Sequence, residues 1–125
     1  MSHIRSKDTG PEMTVRRMIH AMGYRYRLHV RSLPGAPDLV FPRLRSIIFV
    51  NGCYWHMHTC GRCRIPADHR DYWVKKLARN AERDKRTHRK LRRAGWRVLV
   101  VWECQTVAAQ RERLRARLTR LLGAA

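Results

Sequence analysis

Pro37-Asp38-Leu39-Val40-Phe41-Pro42-Arg43-Leu44-Arg45-Ser46-Ile47-Ile48-Phe49-Val50-Asn51 is the stretch that decides the fold. Two apolar runs, Asp38 to Phe41 and Ser46 to Val50, flank a link containing Pro42, and each has the length of a strand rather than a helix. So short a link makes them antiparallel neighbours, and their nearly continuous apolar character places both in the middle of a sheet. Upstream, Tyr24, Tyr26, Leu28 and Val30 alternate with Arg25, Arg27 and His29, the period of a strand with one buried and one basic face. Ser32-Leu33-Pro34-Gly35-Ala36-Pro37 breaks the chain between them. Earlier still, Val15, Met18, Ile19 and Met22 share one helical face, with Asp8 or Thr9 as cap, Pro11 and Glu12 in the first turn and Gly23 just past the end.

Downstream, a basic loop leads to about Asp68, and Tyr72, Leu77, Ala81, His88 and Leu91 then mark a long charged helix ending at Gly95. Trp96 to Trp102 carries Val98-Leu99-Val100-Val101, which reads as a strand buried on both faces. Val107 to Leu122, with Leu114, Leu118, Leu121 and Leu122, predicts a closing amphipathic helix. The order α-β-β-β-α-β-α predicts an α/β fold, a mixed sheet flanked by helices, and 125 residues suit a single domain spanning 1–125.

Lys and Arg number 28 against 9 Asp and Glu, a formal charge of +19, and a polyanion is the partner that offsets such self-repulsion. Most of that charge is arginine, whose planar fork grips phosphate and stacks on bases, so nucleic acid is the expected ligand. A structural RNA binder is the plain alternative. No run reaches the roughly 20 apolar residues of a membrane span, and the N-terminus lacks a signal-peptide core, so a cytoplasmic, nucleoid-associated location without membrane contact is expected. In that compartment Cys53, Cys60, Cys63 and Cys104 are thiols or metal ligands rather than disulfides.

Val50-Asn51-Gly52-Cys53-Tyr54-Trp55-His56-Met57-His58-Thr59-Cys60 concentrates metal-binding side chains beside flat aromatic ones. By spacing, Cys60-x-x-Cys63 with Cys53 and Cys104 closes a structural zinc site, and His58 competes for one corner. Such a site ties the ends of two strands together and stabilises a small domain. Among the few carboxylates, Glu112 reads as a surface residue, and Asp68 and Asp71 read as caps of the long helix. Asp38, at the mouth of an apolar strand, needs a metal or a hydrogen-bonding partner to offset its desolvation. Asp84 and His88 share a helical face at i and i+4, as do Asn80 and Asp84, a spacing that an ordinary solvated face also explains. Glu12 alone is a first-turn helix carboxylate.

Gly10-Pro11-Glu12-Met13, Tyr24-Arg25-Tyr26-Arg27-Leu28, Leu33-Pro34-Gly35 with Pro37-Asp38, Asn51-Gly52-Cys53-Tyr54-Trp55-His56, Asp71-Tyr72-Trp73, Asn80-Ala81-Glu82-Arg83-Asp84 and Gly95-Trp96-Arg97 through Trp102-Glu103-Cys104 together resemble the very-short-patch repair (Vsr) DNA mismatch endonucleases. The resemblance runs from about Met1 to Cys104. It implies a restriction-endonuclease-like fold and an enzyme that nicks one strand on the 5′ side of the thymine in a T:G mismatch, the lesion left by deamination of 5-methylcytosine. It also implies Mg²⁺ at Asp38 and at the backbone carbonyl of Val50, with Glu12 contacting water on the metal. His56 matches the general base, and Asp84 the carboxylate that orients it, a pairing that fixes the tautomer and raises ring basicity. The zinc ligands implied are Cys53, His58, Cys60 and Cys104, which leaves Cys63 as a substitute for His58. Tyr54, Trp55 and Trp73 match an aromatic wedge inserted beside the mismatch, where a weakened pair gives up less stacking energy. Trp73 has core packing as its alternative. Asn51 stands where the family pattern has a second histidine, and asparagine orients water without carrying a proton. The implied partners are mismatched double-stranded DNA and repair proteins, and the enzyme is expected to act as a monomer, because a lone mismatch offers no two-fold symmetry. The competing readings are a nuclease of different lesion preference and a non-catalytic zinc-stabilised binding module.

Overall fold

The computed structural model describes residues 9–52 and 67–123. Its elements follow the expected order: α1 (Gly10–Ala21), β1 (Arg27–Leu28), β2 (Leu39–Phe41), β3 (Ser46–Asn51), α2 (Arg70–Arg93), β4 (Arg97–Trp102) and α3 (Arg111–Leu122). The strands lie side by side in the order β1-β2-β3-β4. The first three are antiparallel neighbours, with Leu28 opposite Leu39 and Leu39 opposite Ile48. A crossover containing α2 brings β4 in parallel to β3, Asn51 facing Trp102. This mixed sheet between helices is consistent with a nuclease fold.

Alternation along the strands sorts the core into two layers. Leu39, Phe41, Ile48 and Val101 point to one face and pack with Val15 and Ile19 of α1 and Leu114, Leu118 and Leu122 of α3. Val40, Ile47 and Phe49 point to the other and meet Leu91 of α2, with Val98 and Val100 alongside. The apolar stripe of α1 is thus the face read from spacing, and Thr9 is its cap: the Thr9 side chain accepts from the Glu12 N–H at 3.3 Å.

Several expectations about the strands and α2 need correction. The strand expected over Tyr24 to Val30 is only two residues long, because His29 adopts a left-handed backbone (φ 48°) that ends it. The alternation still holds up to that point, Tyr24, Tyr26 and Leu28 packing on the first layer, but beyond it Val30 falls on the second. β4 is half-buried except at Val101, not buried on both faces, because it forms the sheet edge among the described residues. Neither Asp68 nor Asp71 is the cap of α2; His69 occupies that position with φ 55°, and Asp71 lies inside the first turn, where the helix N-terminus favours its charge. Tyr72 is exposed, leaving Leu77 and Leu91 as the buried anchors of α2.

Gly35 is required by position. Its φ is +77°, and a Cβ there would come within 2.5 Å of the Thr87 methyl group, so the loop before β2 presses its backbone directly on α2. Among the described residues, no helix is long and apolar enough to cross a membrane.

Candidate active site

Asp38 precedes the first residue of β2, and its Oδ2 accepts a hydrogen bond from the Val50 backbone N–H at 2.7 Å. This bond spans two adjacent antiparallel strands and fixes the carboxylate at one end of the sheet. Because Leu28 faces Leu39, the next pair in register is His29 and Asp38, and the His29 N–H indeed donates to the Asp38 carbonyl oxygen at 3.1 Å. The left-handed turn at His29 then sets the imidazole between two carboxylates. Its Nε2 is 3.1 Å from Glu12 Oε2, and its Nδ1 is 3.9 Å from Asp38 Oδ1.

Glu12 reaches this point from the first turn of α1, where the helix N-terminus favours negative charge. It is only 2 % exposed, a rare position for a carboxylate, and Arg16 one turn on brings Nη1 within 3.6 Å of it. Glu12, His29 and Asp38 each offer a ligand atom, all within 4.8 Å of one another, the spread expected of donors around one divalent ion. With Asp38 Oδ2 taken by Val50, Oδ1 is the oxygen on the imidazole side.

Of the residues expected from sequence, the structure therefore brings together Glu12, Asp38 and the backbone of Val50. Asn51, one residue on, is buried at the end of β3. Asp84 is half-buried on α2 outside this cluster, one turn before His88, whose ring packs on Phe49 with centroids 4.9 Å apart. Cys104 is half-buried in the short 3-10 turn directly after β4. Trp73 is half-buried near the start of α2. Cys53, Tyr54, Trp55, His56, His58, Cys60 and Cys63 lie outside the described residues. His29 is the member that sequence reasoning missed: assigned to a basic strand face, it was not set opposite Asp38, although pairing the two strands in register would have done so.

The sequence model for "DNA mismatch endonuclease Vsr" matches residues 1–62, which include all three clustered side chains. The type II nicking enzyme V.XorIIP of Xanthomonas oryzae pv. oryzae is 49 % identical over 105 residues, covering 84 % of this chain and 77 % of its own. The DNA mismatch endonuclease Vsr of Escherichia coli is 40 % identical over 104 residues, 83 % of this chain and 67 % of that protein. The chain belongs to the Vsr family of DNA mismatch endonucleases. A third relative, the type II nicking enzyme V.NmeAIP of Neisseria meningitidis, is 39 % identical over 116 residues, 91 % of this chain and 83 % of its own.

A Vsr-family nuclease acts on DNA, and two further features of the surface suit that substrate. At the start of α2 the exposed Tyr72 and the half-buried Trp73 stand edge to face, centroids 5.3 Å apart, with the Lys76 ammonium 5.9 and 5.5 Å from the two rings. At the end of β1 away from the carboxylates lies an open groove of about 620 Å³ lined by Arg25, Arg27 and Arg43 together with Tyr24 and Tyr26. Its arginines suit phosphate rather than a cation.

Proposed function

We propose that this protein is a divalent-metal-dependent endonuclease of very-short-patch repair that nicks 5′ of the thymine in T:G mismatches. The observation that carries the reading is the convergence of Glu12, His29 and Asp38 at one end of the sheet, in a chain otherwise so basic that clustered carboxylates need a purpose. Bound there, Mg²⁺ would neutralise charge building on the scissile phosphate and favour hydroxide as nucleophile.

The residues of the chain do the rest. Asp38, locked by the Val50 N–H, and the Val50 carbonyl would hold the ion, and Glu12 would orient water from α1. His56 would take the proton from the attacking water, oriented by Asp84 on α2, and Asn51 would position water without exchanging its proton. Tyr54, Trp55 and Trp73 would form the wedge beside the mismatch, with Tyr72 extending it. A structural zinc ion would be held by Cys53, His58, Cys60 and Cys104, with Cys63 the alternative to His58. The parallel register supports this arrangement, since Cys104 follows Trp102 by two residues as Cys53 follows Asn51, and those strand ends are partners. The protein would act in the cytoplasm at the nucleoid, as a monomer, handing the nick to repair proteins.

The test is a strand-labelled duplex with one T:G mismatch, incubated with protein and Mg²⁺ beside the matched duplex and the His56→Ala variant. A single nick 5′ to the mismatched thymine, absent from both controls, is expected. Tight binding with no nick on any mismatch would favour the non-catalytic module, and nicking at another mismatch would redirect the specificity.

A further inference from the structure

The three clustered donors differ in kind. Glu12 and Asp38 offer hard carboxylate oxygens, the ligands Mg²⁺ prefers, whereas His29 offers a nitrogen. Its placement is built rather than incidental. A non-glycine residue in the left-handed region is conformationally strained. Here that conformation follows directly on β1, and the His29 N–H is bonded to the carbonyl of the very aspartate its ring approaches. The side chain is mostly buried, at 22 % exposure, and spans the gap between carboxylates from two other elements.

We propose that His29 is itself a nitrogen ligand of the divalent ion, so that this enzyme's catalytic centre is a mixed nitrogen–oxygen site that holds a first-row transition ion more tightly than the carboxylates alone would. The inference rests on the cluster being the nuclease's metal centre. Imidazole bonds well to transition ions and poorly to Mg²⁺, which fills its shell with water and oxygen donors. Mn²⁺ is the weakest binder of the first-row series from Mn²⁺ to Zn²⁺ and has an oxygen preference close to that of Mg²⁺, so it makes the strictest probe. One ring nitrogen would face the ion, and the other would remain to hydrogen-bond a neighbouring oxygen, the arrangement usual for a ligating histidine.

The experiment is pulsed electron paramagnetic resonance of Mn²⁺ on the whole protein, grown with ¹⁴N- or ¹⁵N-histidine, together with Mn²⁺ and Mg²⁺ titrations by calorimetry. The wild type is expected to show the coupling of a directly bound histidine nitrogen, with the pattern changing on ¹⁵N labelling. His29→Asn is the matched variant, since asparagine tolerates left-handed backbone and is too short to replace the ring. It should lose the coupling and bind Mn²⁺ about 10-fold more weakly, the scale seen when a side chain shaping a metal site is removed, while Mg²⁺ affinity changes less. His56→Ala should keep the coupling, which excludes the other histidine placed at the reaction, and loss of the coupling in His56→Ala overturns the proposal even if His29→Asn folds poorly. Mn²⁺ bound without nitrogen coupling in the wild type, or coupling that survives in His29→Asn, overturns the proposal. Asp38→Asn separates the two levels: if it abolishes Mn²⁺ binding while the wild type shows no nitrogen coupling, the metal centre stands and the histidine ligand falls. If Asp38→Asn binds Mn²⁺ as the wild type does, both fall.

Discussion

The two faces of the sheet are covered in different ways. On one, α1 and α3 bury a continuous apolar layer in which Val15, Ile19, Leu39, Leu114, Leu118 and Leu122 are all at most 1 % exposed, and Glu12 is set into the start of the same α1 stripe. On the other, the long α2 buries only Leu77 and Leu91 and otherwise presents charge, with Asp84, His88 and Trp73 half-buried along it. The first face supplies stability and anchors a carboxylate; the second trades burial for a strongly basic surface. Burying a carboxylate costs stability unless a cation compensates it, and Arg16, with Nη1 3.6 Å from Glu12, supplies that charge.

Glu12→Gln should break this comparison most sharply. Expected is a fall in nicking rate of about 100-fold or more, the scale of a lost group that positions a reactant, with unfolding free energy changed by about 1 kcal/mol or less, because the amide keeps the side chain's shape and removes a buried charge. Chemical denaturation beside single-turnover nicking measures both. Leu118→Ala should do the reverse, costing about 3 kcal/mol by cavity formation while leaving the nicking rate of the folded fraction intact. Equal loss of activity in both variants would mean that the first layer does not separate support from chemistry.

Gly35→Ala tests the join between the faces. A methyl group cannot enter the space held by Thr87, and φ +77° is strained for alanine, so about 1–3 kcal/mol of destabilisation is expected. Moving α2 off the loop should also lower nicking through Asp84, and normal activity at normal stability would show that the join is slack. Trp73→Ala should weaken binding to mismatched duplex by about 1–3 kcal/mol, the worth of one base–aromatic stack. Tyr72→Ala, at an exposed position, should leave thermal stability within about 0.5 kcal/mol. The smallest effect is expected at the exposed Glu112–Arg115 pair on α3, where Glu112→Gln should change neither quantity measurably.

Much of this was legible in the sequence, for identifiable reasons. Periodicity depends on which side chains are buried, so the element order, the stripe of α1 and the central pair β2 and β3 could be read directly. What could not be read depends on tertiary neighbours or on a single backbone angle. The exposure of β4 follows from its place at the sheet edge, and the early end of β1 follows from the left-handed turn at His29. Asp38 stood out because an acid at the mouth of an apolar strand is anomalous, whereas Glu12 on its own reads as a first-turn helix carboxylate and entered the site only through the family resemblance. His29 was missed because its partner is defined by strand register, not by spacing along the chain.

The central claim is that phosphodiester cleavage occurs at the Glu12–His29–Asp38 cluster. The direct measurement compares wild type and Asp38→Asn on one T:G duplex, recording affinity without added metal and nicking with Mg²⁺ or Mn²⁺. Affinity within a few-fold of wild type with nicking abolished in both metals is the predicted result. Nicking by Asp38→Asn at the wild-type rate would place the reaction elsewhere and contradict the account.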